Sequence, residues 1–125
     1  DEFVAKRHIL QERYDLLLSD LPIIEPYQDK DSYSALHLYP IQIDLNKVSK
    51  NREQIFNELR ESGIGVNVHY IPIHTQPYYL NLGFKAKSLP NAEYYYSRAI
   101  SIPLYHSMTI EQQTKVVVVL SNAIN

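Results

Sequence analysis
At 125 residues and a net charge of −2, the chain has the length of about one domain and no basic run that would mark a nucleic-acid footprint. It contains no cysteine, which excludes a disulfide scaffold, a thiolate metal site and a cysteine nucleophile, and fits a cytoplasmic protein. No apolar run approaches the roughly 20 residues that span a bilayer, and Asp1-Glu2-Phe3 has neither the Met nor the basic start of a signal peptide, so it reads as a point inside a longer protein.

Phe3, Leu10, Tyr14, Leu17 and Leu21 recur at near-heptad spacing, which predicts a long amphipathic helix over residues 2–20. Pro22 and Pro26 end it, since proline cannot continue the hydrogen-bond ladder. Residues 35–44 alternate as a strand, and Pro40 inside them points to a sheet edge or a bulge. Val48, Ile55, Phe56 and Leu59 share one helical face, which predicts a helix from Ser49 to Ser62 with Gly63 as its stop. Val66, Val68 and Tyr70 then alternate with Asn67 and His69 as a half-buried strand, and Pro72 and Pro77 make the following segment a loop. Asn91 is the expected N-cap of a short helix through Arg98, and Ile100, Ile102 and Leu104 form the next strand. Thr109 and Gln112 fit a capping box for a last helix over residues 110–123. The valine run 116–119 favours a strand by propensity, but Val117, Leu120 and Ile124 keep helical spacing. The expected fold class is α+β: about three mainly antiparallel strands with helices on one face. The long first helix needs more than this small sheet to cover it.

Chemistry concentrates in Gly63–Tyr79, GIGVNVHYIPIHTQPYY, where a strand runs into a proline-broken loop carrying two histidines and several tyrosines. His69 and His74 admit three roles: zinc ligands, loop residues bonded to backbone, or donors to a polar or anionic ligand. Zinc needs three converging ligands, Pro72 forbids a helix bringing the two together, and a third would have to be His37 or His106. Tyr70, Tyr78 and Tyr79 extend the same surface, with hydroxyls for sugar or phosphate oxygens and rings to pack on a ligand. The triplet Tyr94–Tyr96 lies on a helix, so at least one ring faces the core and one the solvent. No G-x-S-x-G elbow or phosphate-cradling glycine loop is present, and Glu58 and Glu61 read as a solvated pair. By residue chemistry alone the chain is part of a site or, alternatively, a free-standing α+β module with a Tyr/His-rich ligand- or protein-binding face.

Taken together, residues 63–79, LGF at 82–84, LPNAEYY at 89–95 and ISIPLYHSMT at 100–109 resemble the C-terminal segment of the DegT/StrS-type nucleotide-sugar aminotransferases. Within that family the likeness is to the UDP-4-keto-sugar branch of pseudaminic acid biosynthesis. The resemblance covers the whole chain in order. It implies an aspartate-aminotransferase-like enzyme of which residues 1–125 are the small C-terminal domain, with 2–21 as the helix leading out of a large pyridoxal-phosphate domain. It also implies transfer of an amino group from glutamate to a keto-sugar nucleotide, in a homodimer with sites between subunits and without nucleic-acid or membrane partners. The Schiff-base lysine and the cofactor's aspartate partner belong to the large domain, and none of the seven lysines here stands in the family's lysine context. The resemblance therefore implies no catalytic, cofactor-binding or metal residue in this chain, and no activity for it in isolation. His69, Tyr70 and His74 match the family's H-Y/F-x-x-x-H segment on the substrate side, with Gln76 and Tyr78 as weaker substrate contacts. His106 stands where relatives often carry proline.

Overall fold
In the computed structural model, which describes residues 1–125, the first helix α1 (Glu2–Leu18) buries Leu10, Tyr14 and Leu18. The core stripe advances by fours, so Leu18 turns inward and Leu17 is left half out. Phe3 stays outside the core and stacks on His106, with ring centroids 3.9 Å apart. The chain then makes a two-residue strand, β1 (Ile23–Ile24), which the flanking prolines hid from the sequence reading.

Strand β2 (Tyr39–Ile43) lies between β1 and β3 (Ala99–Ile102), and both pairings are antiparallel. Pro40 thus sits in the central strand, against the expectation of an edge or bulge. Its ladder position explains why it is tolerated. Ile43 N–H donates to Arg98 on the β3 side, so alternation turns the Pro40 nitrogen toward β1, which reaches only Gln42 and Ile43. Locally, that side of Pro40 is an edge.

Helix α2 (Arg52–Glu61) is shorter than expected because Asn51 and Gln54 close a capping box at its start. It ends on Gly63 at φ +76°, a left-handed conformation in which a side chain is strained. Two short helices follow, α3 (Pro77–Asn81) and α4 (Pro90–Tyr96), each with proline in its first turn. The expected loop after Pro72 is therefore partly helical. At α4, Leu89 precedes the first turn, so Asn91 lies inside the helix and is not its cap. Of Tyr94–Tyr96 no ring is buried: Tyr94 lies outside under Arg98, 4.0 Å away, and Tyr95 and Tyr96 are half-buried. Helix α5 (Ile110–Ile124) carries the expected Thr109–Gln112 capping box and takes the valine run as helix.

The register sorts the sheet into two faces. Tyr39, Ile41, Ile43, Ile100 and Ile102 meet Leu10, Tyr14, Leu59, Val116 and Leu120 in one core beneath the helices. Pro40, Gln42, Ala99 and Ser101 occupy the opposite face. No helix is long and apolar enough to cross a membrane.

Candidate functional site
The segment that leaves α2 runs along the outer edge of β3. Ile64 and Val66 anchor it in the core, and Asn67 exchanges both backbone hydrogen bonds with Ser101, at 3.2 and 2.8 Å. The strand expected over Val66–Tyr70 is this single bridge. Within that stretch the next bonded pair would be His69 with Ala99, which exchange no backbone hydrogen bond, and on the other side Gly65 would face Pro103, which has no N–H to give.

His69 follows two residues later, and its Nδ1 lies 2.8 Å from Ser101 Oγ. The Tyr70 ring stands edge-on to the imidazole at 4.7 Å and is 72% exposed. The peptide bond between them is cis. Beyond buried Pro72, a tight turn over Ile73–Thr75 closes through Thr75 N–H to Pro72 and Gln76 N–H to Ile73. This turn drives His74 inward, leaving it 4% exposed, with Nε2 2.7 Å from Glu93 Oε1. The same oxygen accepts the Lys87 N–H at 2.6 Å. These hydrogen bonds, that from His74 foremost, hold the Glu93 carboxyl below the usual glutamate range. His74 is thus a strut between the turn and α4 and does not lie open beside His69.

Gln76 is half-buried and serves α3, its carbonyl accepting the Leu80 N–H at 3.0 Å. Tyr78 points outward, 69% exposed, against the edge of Tyr79 at 5.3 Å. Of the five residues singled out in the sequence, His69 and Tyr70 touch, Tyr78 is displayed, and Gln76 and His74 build the loop. Ser101 and Glu93 were missed. Both lie inside the quoted motifs ISIPLYHSMT and LPNAEYY, yet a serine in a strand and a glutamate on a short helix announce nothing until their partners are known.

His69 and His74 take different partners, and no three His, Asp or Glu side chains gather as a metal site would require. A cleft of about 450 Å³ is lined by the Gly63–Gly65 turn together with Pro103, Met108 and Lys115. Lys115 Nζ would lie 3.8 Å from a Cβ at Gly63, beyond the C-terminal end of α2, where a cation offsets the helix dipole. No lysine is buried: Lys6, Lys47 and Lys50 are ion-paired to Glu2, Asp44 and Glu58, and Lys30, Lys85, Lys87 and Lys115 are exposed. A Schiff-base amine needs a desolvated or charge-tuned setting. The residues of this chain do not fit that role.

Residues 1–121 match the model of the DegT/DnrJ/EryC1/StrS aminotransferase family. The spore coat polysaccharide biosynthesis protein SpsC of Bacillus subtilis is 38% identical over 112 residues, which is 87% of this chain and 29% of that protein. Among solved structures, Helicobacter pylori PseC, an aminotransferase involved in the biosynthesis of pseudoaminic acid, superposes with a TM-score of 0.87 at 26% identity, covering 98% of this chain and 33% of that one. The PLP form of Spr1654 from Streptococcus pneumoniae, assigned as a sugar aminotransferase, gives 0.88 at 25% identity, with 97% and 31% covered. The chain thus spans about three-tenths of the length of these relatives.

Proposed function
The chain belongs to the DegT/DnrJ/EryC1/StrS aminotransferase family, and from that premise we propose that it is the C-terminal small domain of a sugar-nucleotide aminotransferase. The parent protein transfers an amino group from glutamate to a UDP-4-keto-6-deoxy sugar in surface-glycan biosynthesis. It works in the cytoplasm as a homodimer. Its cofactor is pyridoxal phosphate, which supplies the electron sink of the transfer and is held mainly outside these 125 residues. The PLP form of Spr1654 and the sugar pathways named for SpsC and PseC support this reading.

This chain's part is to bind and orient. His69, Tyr70 and Tyr78 offer two exposed phenols and a half-buried imidazole to the sugar nucleotide. Gln76 and His74 act on the same surface from beneath, through the turn that Glu93 holds. The observation that carries the reading is this displayed His-Tyr group on a chain with no enclosed lysine. Residues that only grip substrate should alter its binding more than the turnover of the bound complex.

The test is kinetic, on the full-length protein. Tyr70→Ala is expected to raise KM for the UDP-4-keto sugar about tenfold while KM for glutamate stays put. Unchanged sugar kinetics would remove Tyr70 from the site. Incubated alone with pyridoxal phosphate, the 125-residue chain is expected to show no stoichiometric, borohydride-trappable band. Such a band from one specific lysine would sink the proposal that the chain is inactive in isolation.

A further inference from the structure
We infer that Ser101 is a positioning residue that sets the tautomer of His69, so that His69 presents Nε2–H as a hydrogen-bond donor to an oxygen of the bound sugar nucleotide. The inference rests on the reading that His69 faces substrate. It starts from the proton inventory of a buried serine and a half-buried histidine. Ser101 is 6% exposed, and both its backbone groups are engaged by Asn67. His69 Nδ1, at 2.8 Å, is the only partner of its hydroxyl. A hydroxyl carries one donor and two acceptor sites, while a neutral imidazole carries one N–H and one lone pair.

Two arrangements satisfy the 2.8 Å distance. If Nδ1–H donates to Ser101 Oγ, the serine proton must find another acceptor, and none lies within reach. A buried donor is then left unmade, which is the costly outcome. If Ser101 Oγ–H donates to Nδ1, both groups are satisfied and the ring proton sits on Nε2. The Tyr70 edge at 4.7 Å flanks the same ring and restricts its rotation. A fixed Nε2–H seeks a carbonyl, hydroxyl or phosphoryl oxygen and gives nothing to an ammonium group, so it favours the oxygen-bearing keto substrate over a cationic amine at that point.

The ring nitrogens of His69 can be read directly by long-range proton–nitrogen NMR on 15N-histidine-labelled chain, at a pH where the imidazole is neutral. The expected pattern is a protonated Nε2 and a bare Nδ1. In Ser101→Ala both signals are expected to move toward the averaged values of a freely exchanging ring, and Ser101→Thr, which keeps the hydroxyl, is expected to restore them. In the full-length protein, Ser101→Ala is expected to raise KM for the sugar nucleotide about fivefold to tenfold, with kcat within twofold. A wild-type His69 carrying Nδ1–H, or nitrogen signals unmoved by Ser101→Ala, would overturn the role of Ser101. The expected tautomer together with an unchanged KM would overturn the contact to substrate and leave Ser101 a purely structural partner.

Discussion
Tyr14→Phe removes one oxygen from the point where α1 meets the end of β3. The Tyr14 side chain is fully buried, its ring 5.1 Å from that of Tyr39. Its hydroxyl donates to the Pro103 carbonyl at 2.9 Å, with Met108 Sδ at 3.8 Å. Burial pushes the phenol's pKa above its ordinary value, so it remains a donor through the usual pH range. Phenylalanine keeps the ring and its packing, so the change isolates the hydrogen bond. A net loss of about 1 kcal/mol is expected for the bond itself, and the stranded carbonyl raises this to about 1–2 kcal/mol. Pro103 is only half-buried, which lets water recover part of that and keeps the figure at the low end of the range. With an unfolding entropy of about 2.1 cal/mol/K per residue, a loss of about 1 kcal/mol should lower Tm by about 4 °C for a chain of this length. Thermal melts followed by circular dichroism, with a urea titration showing an unchanged m-value, measure it. A shift below about 1 °C would refute the reasoning, because it would mean the Pro103 carbonyl is served equally well by solvent.

The Glu93 tether carries a sign that can be checked. Its folded carboxyl is held below the ordinary value of 4.5, chiefly by the hydrogen bond from His74. Its contribution is therefore complete above pH 4.5 and is lost as pH falls through the lower folded value. Urea melts across that range should show wild type more stable than Glu93→Gln at neutral pH, with the gap closing in acid; a constant gap would mean another group carries the effect. Gly63→Ala should cost about 1–2 kcal/mol, because φ is +76° there and the nearest side-chain atom is an ordinary 3.8 Å away. A neutral substitution would show that the turn relaxes. Asn51→Ala should cost about 1 kcal/mol by opening the α2 capping box, and an unchanged urea midpoint would count against that cap.

How far the sequence could be read depends on how local the determining interaction is. The helices were legible where cap, stripe and stop fall within one short stretch, as with Thr109, Gln112 and the Leu120 face of α5. The Asn51–Gln54 box was equally local and marks α2 better than Ser49 does. The family was legible for a related reason: its motifs are short runs between residues 63 and 109 that need no partner to be recognised. Strands fared worse. Ile23–Ile24 is too short to show a period, and Val66–Tyr70 alternates well yet pairs once, because the chain leaves β3 before His69 can pair with Ala99.

The sequence by itself determined the α+β class, the three main helices, the Gly63 stop and the clustering of His69, Tyr70, His74 and Tyr78 on one segment. Each of these follows from residues within a few positions of one another. Tertiary structure alone decided which of those side chains is open and which is braced. His74 is drawn inward because Glu93, 19 positions later, offers it a carboxylate. His69 is pinned because Ser101, 32 positions later, arrives on the neighbouring strand. Periodicity and propensity carry no record of such partners, since the hydrogen bonds exist only once β3 has been laid beside the turn.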